Sequence, residues 1–312
     1  MNMEQVTELR SFMSDEPSQL EGVVALDSNW LIHRSYHTNQ NLSVVIGGIP
    51  VITGDIYGFC RSVMDALRRR PSYAVVMCCD SPKNDRKEIY AGYKGTRDHG
   101  GVAYGKWVEA MRTVSMFPGV YLSQEPGKEA DDIIFSLASD YSERGKNTII
   151  FSSDNDLLQS LQFNNVERRS SFAKGADSHG PSYVRERYGV EPSRLAFFRA
   201  IIGDKSDNLD GYMRFPKKVA VQVVSEFNNP DEYIHAVNSG KYVPNNRWTK
   251  MLSDEPDLMI RNFKIMGLSK IPYRIFKMEA TQEFVIKYRL NSVKRFVEDY
   301  TDGSVRKITL GD

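Results

Sequence analysis

The chain has 312 residues, with 41 lysines and arginines against 40 aspartates and glutamates, so it is neither a polycation nor an acidic tail. Hydrophobic residues make up 41% and the mean hydropathy is −0.44, values of a soluble globular chain with material for one large domain or two modest ones. The longest apolar run, Ala74 to Cys79, is too short for a bilayer. The N-terminus lacks a basic-then-apolar leader, and Cys60, Cys78 and Cys79 have no disulfide or zinc spacing, so a cytoplasmic protein without membrane contact is expected.

Residues 1–20 read as a short amphipathic helix with Val6, Leu9, Phe12 and Met13 on one side, stopped near Pro17. Gly22 to Asp27 is a buried strand closed by an acid, with Trp30, Leu31 and Arg34 following. Ligands of α/β sheets gather at the carboxyl ends of strands, so Asp27 is a candidate ligand; it is equally suited to cap the next helix. Residues 43–49 suggest a small hairpin or irregular loop. A helix is predicted over 53–70 from Ile56, Phe59, Cys60, Val63, Met64 and Leu67, with Pro71 ending it. A second buried strand, Tyr73 to Cys79, again runs into an acid, Asp80, and places Cys78 and Cys79 on opposite faces as core residues.

From Lys83 to Lys106 the texture changes. Lys83, Arg86, Lys87, Lys94, Arg97 and Lys106 alternate with Tyr90, Tyr93 and Tyr104, a mixture suited to phosphates and stacked bases as well as to a solvated loop. Glycines at 92, 95, 100, 101 and 105 suggest a mobile segment rather than a packed one. A helix near 106–116 and a short strand, Val120 to Leu122, lead to Glu129-Ala130-Asp131-Asp132. Here three carboxylates crowd the first turn of a helix whose apolar stripe is Ile133, Ile134, Leu137, Ala138 and Tyr141. Asn147 to Ser153 is a strand followed by Asp154-Asn155-Asp156. A hairpin over 166–172, helices near Pro181 and Ser193, the loop Gly203-Asp204-Lys205-Ser206-Asp207-Asn208 and a helix from Lys217-Lys218 through Val224 come next. The remainder reads as helical, with one amphipathic helix over 284–297 and a turn at Asp302-Gly303. Alternating β and α units predict an α/β fold with a mixed, mainly parallel sheet flanked by helices.

Asp27, Asp80, Glu129, Asp131, Asp132, Asp154, Asp156, Asp204 and Asp207 therefore fall at strand-to-helix junctions and one later loop. Nine carboxylates at one sheet edge repel unless cations sit between them. Oxygen-only ligands select hard cations such as Mg²⁺ or Mn²⁺, and a pair of these is a phosphoryl-hydrolysis device. Without these nine, 31 acids stand against 41 basic residues, a surface suited to nucleic acid.

In order, V-V-A-L-D-S-N, an aspartate followed by arginine and Y-K-G-T-R, E-A-D-D, S-S-D-N-D and G-D-K-S-D-N resemble the motifs of the 5′-nuclease (flap endonuclease) superfamily over residues 22–220. Within it, the pattern is most similar to the ribonuclease H branch of T-even bacteriophages, which are 5′-exonucleases and flap nucleases. The resemblance implies a PIN-like core with a basic arch (about 83–106) in residues 1–190. It also implies a helical duplex-binding part in 191–312 with a degenerate helix-hairpin-helix-like element. By similarity, Asp27, Asp80, Glu129, Asp131 and Asp154 belong near a first Mg²⁺, with Asp132, Asp156, Asp204 and Asp207 near a second, some through water. Arg86 and Lys94 would reach the scissile phosphate and Arg97 would be a neighbouring arch cation. Arg86, Lys94, Asp132 and Asp154 are the expected catalytic residues. Arg34, Arg86, Tyr90, Tyr93, Lys94, Arg97, Lys217 and Lys218 are the expected nucleic-acid contacts. The chain departs from the family at Leu209 to Lys218, where Arg214 and Pro216 stand at two hairpin-glycine positions, which shifts duplex contact toward the two lysines.

The expected activity is metal-dependent hydrolysis of phosphodiesters near 5′ ends of DNA and RNA–DNA duplexes. It would remove RNA primers and flaps in lagging-strand replication, by a monomer partnered with a single-strand-binding protein or clamp, in the host cytoplasm if phage-encoded. A non-catalytic branched-DNA binder is expected to have lost ligands from the acidic set. A Mg²⁺-dependent phosphatase would need a nucleophilic aspartate pair that Asp27-Ser28-Asn29 lacks.

Overall fold

The two-residue period of a strand sorts its buried residues to the two faces of one sheet. In the computed structural model, which describes residues 20–46, 49–96, 110, 111, 114, 119–173 and 175–276, all six residues of β1 (Gly22–Asp27) are buried. Val23 and Ala25 enter one core, with Val76, Cys78 and Ile150. Val24 and Leu26 enter the other, with Val75, Met77, Cys79 and Ile149. Cys78 and Cys79 thus face opposite sides, and all three cysteines are free and buried.

After β1 come α1 (Ser28–Thr38), the antiparallel pair β2 (Ser43–Ile46) and β3 (Ile49–Ile52), α2 (Gly54–Arg69) and β4 (Tyr73–Cys79). A single turn, α3 (Arg86–Ile89), then precedes β5 (Val120–Gln124), α4 (Ala130–Glu143) and β6 (Asn147–Phe151). A 3-10 turn over Asp156–Gln162 crosses to β7 (Val166–Arg169), which is followed by β8 (Ser178–His179) and α5 (Pro181–Tyr188). The six-stranded sheet runs β5-β4-β1-β6-β7-β8. All its pairings are parallel except β7 with β8. Asp27 pairs with Cys78 and Cys79 with Gln124, so the acids that end β1, β4 and β6 share one edge.

The expected hairpin over 166–172 does not form. Val166–Arg169 instead adds in parallel to β6, and its antiparallel partner is the two-residue β8. The connection from β6 through the 3-10 turn is long enough for a parallel crossover, and the open edge of β6 supplies the hydrogen-bonding groups.

The chain continues through α6 (Leu195–Ile202), the small pair β9 (Gly203–Asp204) and β10 (Leu209–Asp210), α7 (Lys217–Glu226), α8 (Pro230–Asn238), α9 (Arg247–Asp254) and α10 (Pro256–Met266). These helices bury Phe197, Ile201, Ala220, Val224, Tyr233, Leu252 and Met259 against α4 in one cluster. Each large apolar side chain buried in this way stabilises the fold by about 1.5–3 kcal/mol. Asn262, fully buried, donates to the carbonyls of Ala200 (3.1 Å) and Asp210 (2.8 Å) and so ties α10 to both α6 and β10.

Residues 267–276 run back over α4. Leu268 N–H bonds Gln159 (3.1 Å), Ile271 N–H bonds Ser136 (3.0 Å), and Phe276 pairs with Leu122 at the β5 edge. Ala110, Met111 and Val114 are helical and buried against α2, as the sequence pattern over 106–116 predicts. The expected N-terminal helix, the rest of 106–116, the helix over 284–297, the turn at 302–303, and Arg97, Tyr104 and Lys106 lie outside the described residues. No helix among the described residues is long and apolar enough to cross a membrane.

Candidate active site

Parallel strands present their carboxyl ends at one edge, and the acids following them are bound into the turns that leave it. Asp27, the last residue of β1, accepts from Trp30 N–H (3.0 Å) and Ser152 Oγ (2.9 Å), so it caps α1 while its carboxylate sits in the cluster. Asp80 accepts from Ala130 N–H at the start of α4 (2.8 Å) and from Asn29 Nδ2 (2.5 Å). Asp154 accepts from Asp156 N–H (2.9 Å) and donates its own N–H to Ser152 Oγ (3.0 Å). Capping and ligand geometry are therefore compatible in the same side chains.

Carboxylate oxygens of Asp131, Asp154 and Asp156 lie within 4.8 Å of one another, and so do those of Asp156, Asp204 and Asp207, with Asp156 shared. Burial pushes the Asp27 carboxyl up to about 7, reinforced by the charges of Asp80 and Asp154 and opposed by the Trp30 and Ser152 hydrogen bonds. Asp131 is raised well above the usual carboxylate range by burial and by Asp154 and Asp27. Asp80 is raised by burial and by Glu129. Raised carboxyls packed together with oxygen as the only donor type suit hard divalent cations. Asp131, Asp154 and Asp156 bring their oxygens close enough to hold one, and Asp156, Asp204 and Asp207 another, with Asp27 and Asp80 beside the first.

Glu129 and Asp132 face a different partner. Arg86 is bidentate to Asp132 (Nη1 to Oδ2 2.9 Å, Nη2 to Oδ1 2.8 Å) and reaches Glu129 Oε2 at 2.7 Å. Its Nε donates to the Ile265 carbonyl of α10 at 2.7 Å. Asp132 also accepts from Glu129 N–H (3.2 Å), closing the first turn of α4. The structure thus leaves Asp132 outside both triplets, contrary to its expected place near the second cation, because both its oxygens are taken up by the guanidinium.

Lys94 Nζ bonds Glu129 Oε1, and Asn84 Nδ2 reaches the same oxygen at 2.7 Å. Burial would raise the Glu129 carboxyl, but Lys94 and Arg86 hold it below the usual range. Burial likewise disfavours the Lys94 ammonium, yet Glu129, Asp131, Asp207 and Asp80 together raise its affinity for the proton.

The segment expected to be mobile is packed where it is described. Tyr93 is 2% exposed and donates its hydroxyl to Glu129 Oε2 at 3.0 Å, so it has no free ring face for a base. Tyr90 is half-buried with the Arg261 guanidinium 4.4 Å above its ring. Lys94 N–H bonds the Asp207 carbonyl (3.0 Å) and Asn208 Nδ2 the Gly92 carbonyl (2.8 Å), pinning this turn to the later acidic loop. Lys94 itself has φ +54°, a strained conformation for a side-chain-bearing residue that the surrounding contacts enforce. The glycines indicated flexibility; the buried acids beneath them supply the countercharge that orders the turn.

Arg34, on α1, donates to the Ser170 carbonyl (2.6 Å) and lies over Trp30. Lys217 and Lys218 are exposed in the first turn of α7, beside Arg214 at φ +57°. Two arginines escaped the sequence reading. Arg199, the one charged residue of α6, pairs with Asp156 and Asp204. Arg168, 4% exposed, donates to the carbonyls of Ser153 (3.1 Å) and Asp154 (2.8 Å) and supports the turn carrying Asp154. A lone cation inside an apolar helix, five residues before Asp204, was the available signal for Arg199.

Comparison with known proteins places these residues in a family. The family model described as the 5′-3′ exonuclease N-terminal resolvase-like domain matches residues 22–189. The 5′-3′ exonuclease of Aquifex aeolicus is 30% identical over 214 residues, covering 67% of this chain and 71% of that protein. DNA polymerase I of Deinococcus radiodurans is 29% identical over 245 residues, or 78% of this chain, but only 25% of the polymerase is covered. Among solved structures, T5 5′-exonuclease with divalent metal ions (zinc) bound has a TM-score of 0.60 at 16% identity, covering 89% of this chain and 98% of that one. Flap endonuclease-1 from Methanococcus jannaschii has a TM-score of 0.54 at 14% identity, covering 90% and 91%. The fold is shared with both. With the model spanning more than half of its length, the chain belongs to the 5′-3′ exonuclease family of the 5′-nuclease superfamily.

Proposed function

We propose that the protein is a divalent-cation-dependent hydrolase that cleaves phosphodiesters near 5′ ends and flaps of DNA and RNA–DNA duplexes. The observation that carries this is the meeting of two carboxylate triplets with Lys94 and Arg86 at one sheet edge. Two Mg²⁺ ions, with Mn²⁺ as substitute, would supply Lewis acidity for water attack on phosphorus and for departure of the 3′ oxygen.

The chain's own groups do the rest. Burial and neighbouring acids raise the proton affinity of Asp27 and Asp131, so protons compete with a cation there and cation affinity rises with pH. Lys94, kept charged by its acidic neighbours, exchanges Glu129 for a phosphate oxygen and stabilises charge developing there. Arg86 holds Glu129 and Asp132 in place. This differs from its expected direct contact with phosphate and follows from the three hydrogen bonds that already occupy its Nη atoms. Lys217 and Lys218 contact the duplex backbone.

In this reading, residues 1–190 form the catalytic part and 191–312 the duplex-binding part, with Asp204 and Asp207 of the latter completing the acidic site. The biological task is removal of RNA primers and flaps in lagging-strand replication, as for the phage ribonuclease H branch. The protein would act as a monomer in the cytoplasm, beside a single-strand-binding protein or clamp. Similarity to the 5′-3′ exonuclease of Aquifex aeolicus supports the nuclease class.

The test is digestion of a 5′-labelled flap, a nicked duplex and an RNA–DNA hybrid with Mg²⁺ and with EDTA, beside a small phosphomonoester. Short 5′ products that vanish with EDTA, without phosphomonoester turnover, are expected. Tight flap binding with no cleavage at any cation concentration would assign the chain to the non-catalytic binders instead.

A further inference from the structure

An arginine inside an apolar helix is costly unless it is paired. Helix α6 buries Leu195, Phe197, Ala200 and Ile201 completely, and Arg199 is its single charge, with a side chain 12% exposed. The guanidinium forks: Nη1 pairs with Asp156 Oδ1 and Nη2 with Asp204 Oδ2. These are two of the three acids, with Asp207, whose oxygens converge within 4.8 Å. The other oxygen of Asp204 accepts from Ser206 N–H (2.9 Å) and Ser206 Oγ (2.7 Å). By contrast, the hydrogen bonds received by Asp27 and Asp80 come, among the described residues, from neutral donors: Trp30, Ser152, Asn29 and Ala130.

We propose that Arg199 is the resident counter-cation of the Asp156–Asp204–Asp207 group and competes there with a divalent cation. This rests on the metal-dependent reading above and adds an asymmetry to it. A hard cation requires direct contact with carboxylate oxygens, and two of those oxygens carry a guanidinium whose charge repels it. Binding at this group therefore requires the fork to open at two of its three acids, whereas the Asp131–Asp154–Asp156 group meets the guanidinium at Asp156 alone. The two groups should fill in sequence, with the Arg199-guarded one the weaker. In the cation-free protein the same fork offsets part of the charge of the crowded acids through Asp156 and Asp204 and steadies the packing of α6 on the 3-10 turn. Arg199 is thus a positioning residue, and its effect on cleavage runs through cation occupancy.

The experiment is Mn²⁺ binding to the full chain, followed by calorimetry and by electron paramagnetic resonance, for the wild type and for Arg199→Gln and Arg199→Lys. Two classes are expected in the wild type. Arg199→Gln should tighten the weaker class by about tenfold or more, within the usual range of coupling between sites, and change the stronger class, which shares only Asp156 with the guanidinium, by distinctly less. It should also lower the melting temperature in EDTA and recover it with Mn²⁺. A lysine cannot span both acids, so Arg199→Lys should fall between the two.

An unchanged or weakened second class in Arg199→Gln would overturn the proposal, since an arginine that merely orients the acids would help the cation. Should that variant not fold, the wild type still decides. The arginine side-chain nitrogen signal missing from Arg199→Lys should stay put with the first equivalent of Mn²⁺ and move or broaden with the second; movement with the first alone, or with neither, rejects the competition. A wild type that binds no Mn²⁺ removes the metal-dependent reading itself, an outcome distinct from two classes indifferent to Arg199.

Discussion

Arg86 and Lys94, and Arg214, Lys217 and Lys218, are two basic clusters in opposite surroundings. The first pair is held on Glu129 and Asp132, with Arg86 buried and Lys94 tied by its backbone to Asp207. The second group is exposed around the start of α7, where Pro216 precedes the helix. A buried cation is bound to the carboxylates it neutralises, and its removal strands them. An exposed cation acts at a distance through salt-screened attraction, and its loss is graded. Charge counted along the sequence does not separate these cases; burial of the partner acids does.

The sharpest way to break the comparison is Lys94→Ala. If this ammonium meets the phosphate in the transition state, the single-turnover rate should fall by about 10²–10³, with substrate affinity changed only a few-fold. A variant that cleaves normally once bound would move Lys94 into the docking group with Lys217.

Next in size is Arg86→Gln, which leaves Glu129 and Asp132 buried with part of their countercharge gone. Urea unfolding should show a loss of about 3–5 kcal/mol, against less than about 0.5 kcal/mol for Lys217→Ala. Equal and small losses at both positions would erase the distinction between the clusters.

The acids beneath the first cluster set a pH dependence. Asp27 titrates at about 7 in the fold against about 3.9 when unfolded, so between these values the native state keeps a proton that the unfolded state has lost. Stability of the cation-free protein is therefore full below about 4 and falls as pH rises toward 7, by up to about 1.4 kcal/mol per pKa unit. Asp131 adds in the same direction. Glu129, held low by Lys94 and Arg86, has the opposite sign and acts only as pH falls through its depressed value. Melting curves in EDTA should thus decline from pH 5 to 7, and saturating Mg²⁺ should flatten the decline. A melting temperature that rises over this interval in EDTA would contradict the raised carboxyls.

The smallest effect belongs to the exposed cluster. Replacing Lys217 and Lys218 together by alanine should weaken duplex binding without changing cleavage of bound substrate. It should also reduce the slope of log affinity against log salt by about 1.8, the share of two phosphate contacts. An unaltered slope would place the duplex elsewhere on the protein.

Residue order alone carried the α/β class, β1, β4 and β6 with their trailing acids, and the helix begun by Glu129 to Asp132, because these depend on local periodicity and on where a strand gives way to a polar turn. Cys78 and Cys79 facing opposite sides followed from the two-residue period of a strand. What the tertiary structure decided is pairing. Val166–Arg169 became a parallel strand between β6 and β8 because β6 offered an open ladder 15 or more residues back in the chain. Tyr93 and Arg86 left the surface because Glu129 and Asp132, more than 30 residues later, needed their donors. Arg199 met Asp156 across 43 residues and Asp204 across a helix end. Local pattern says which residues carry charge; which charge a carboxylate finally faces depends on the packing of distant elements, and in a buried site that choice outweighs propensity because an unpaired charge there is far too costly to leave.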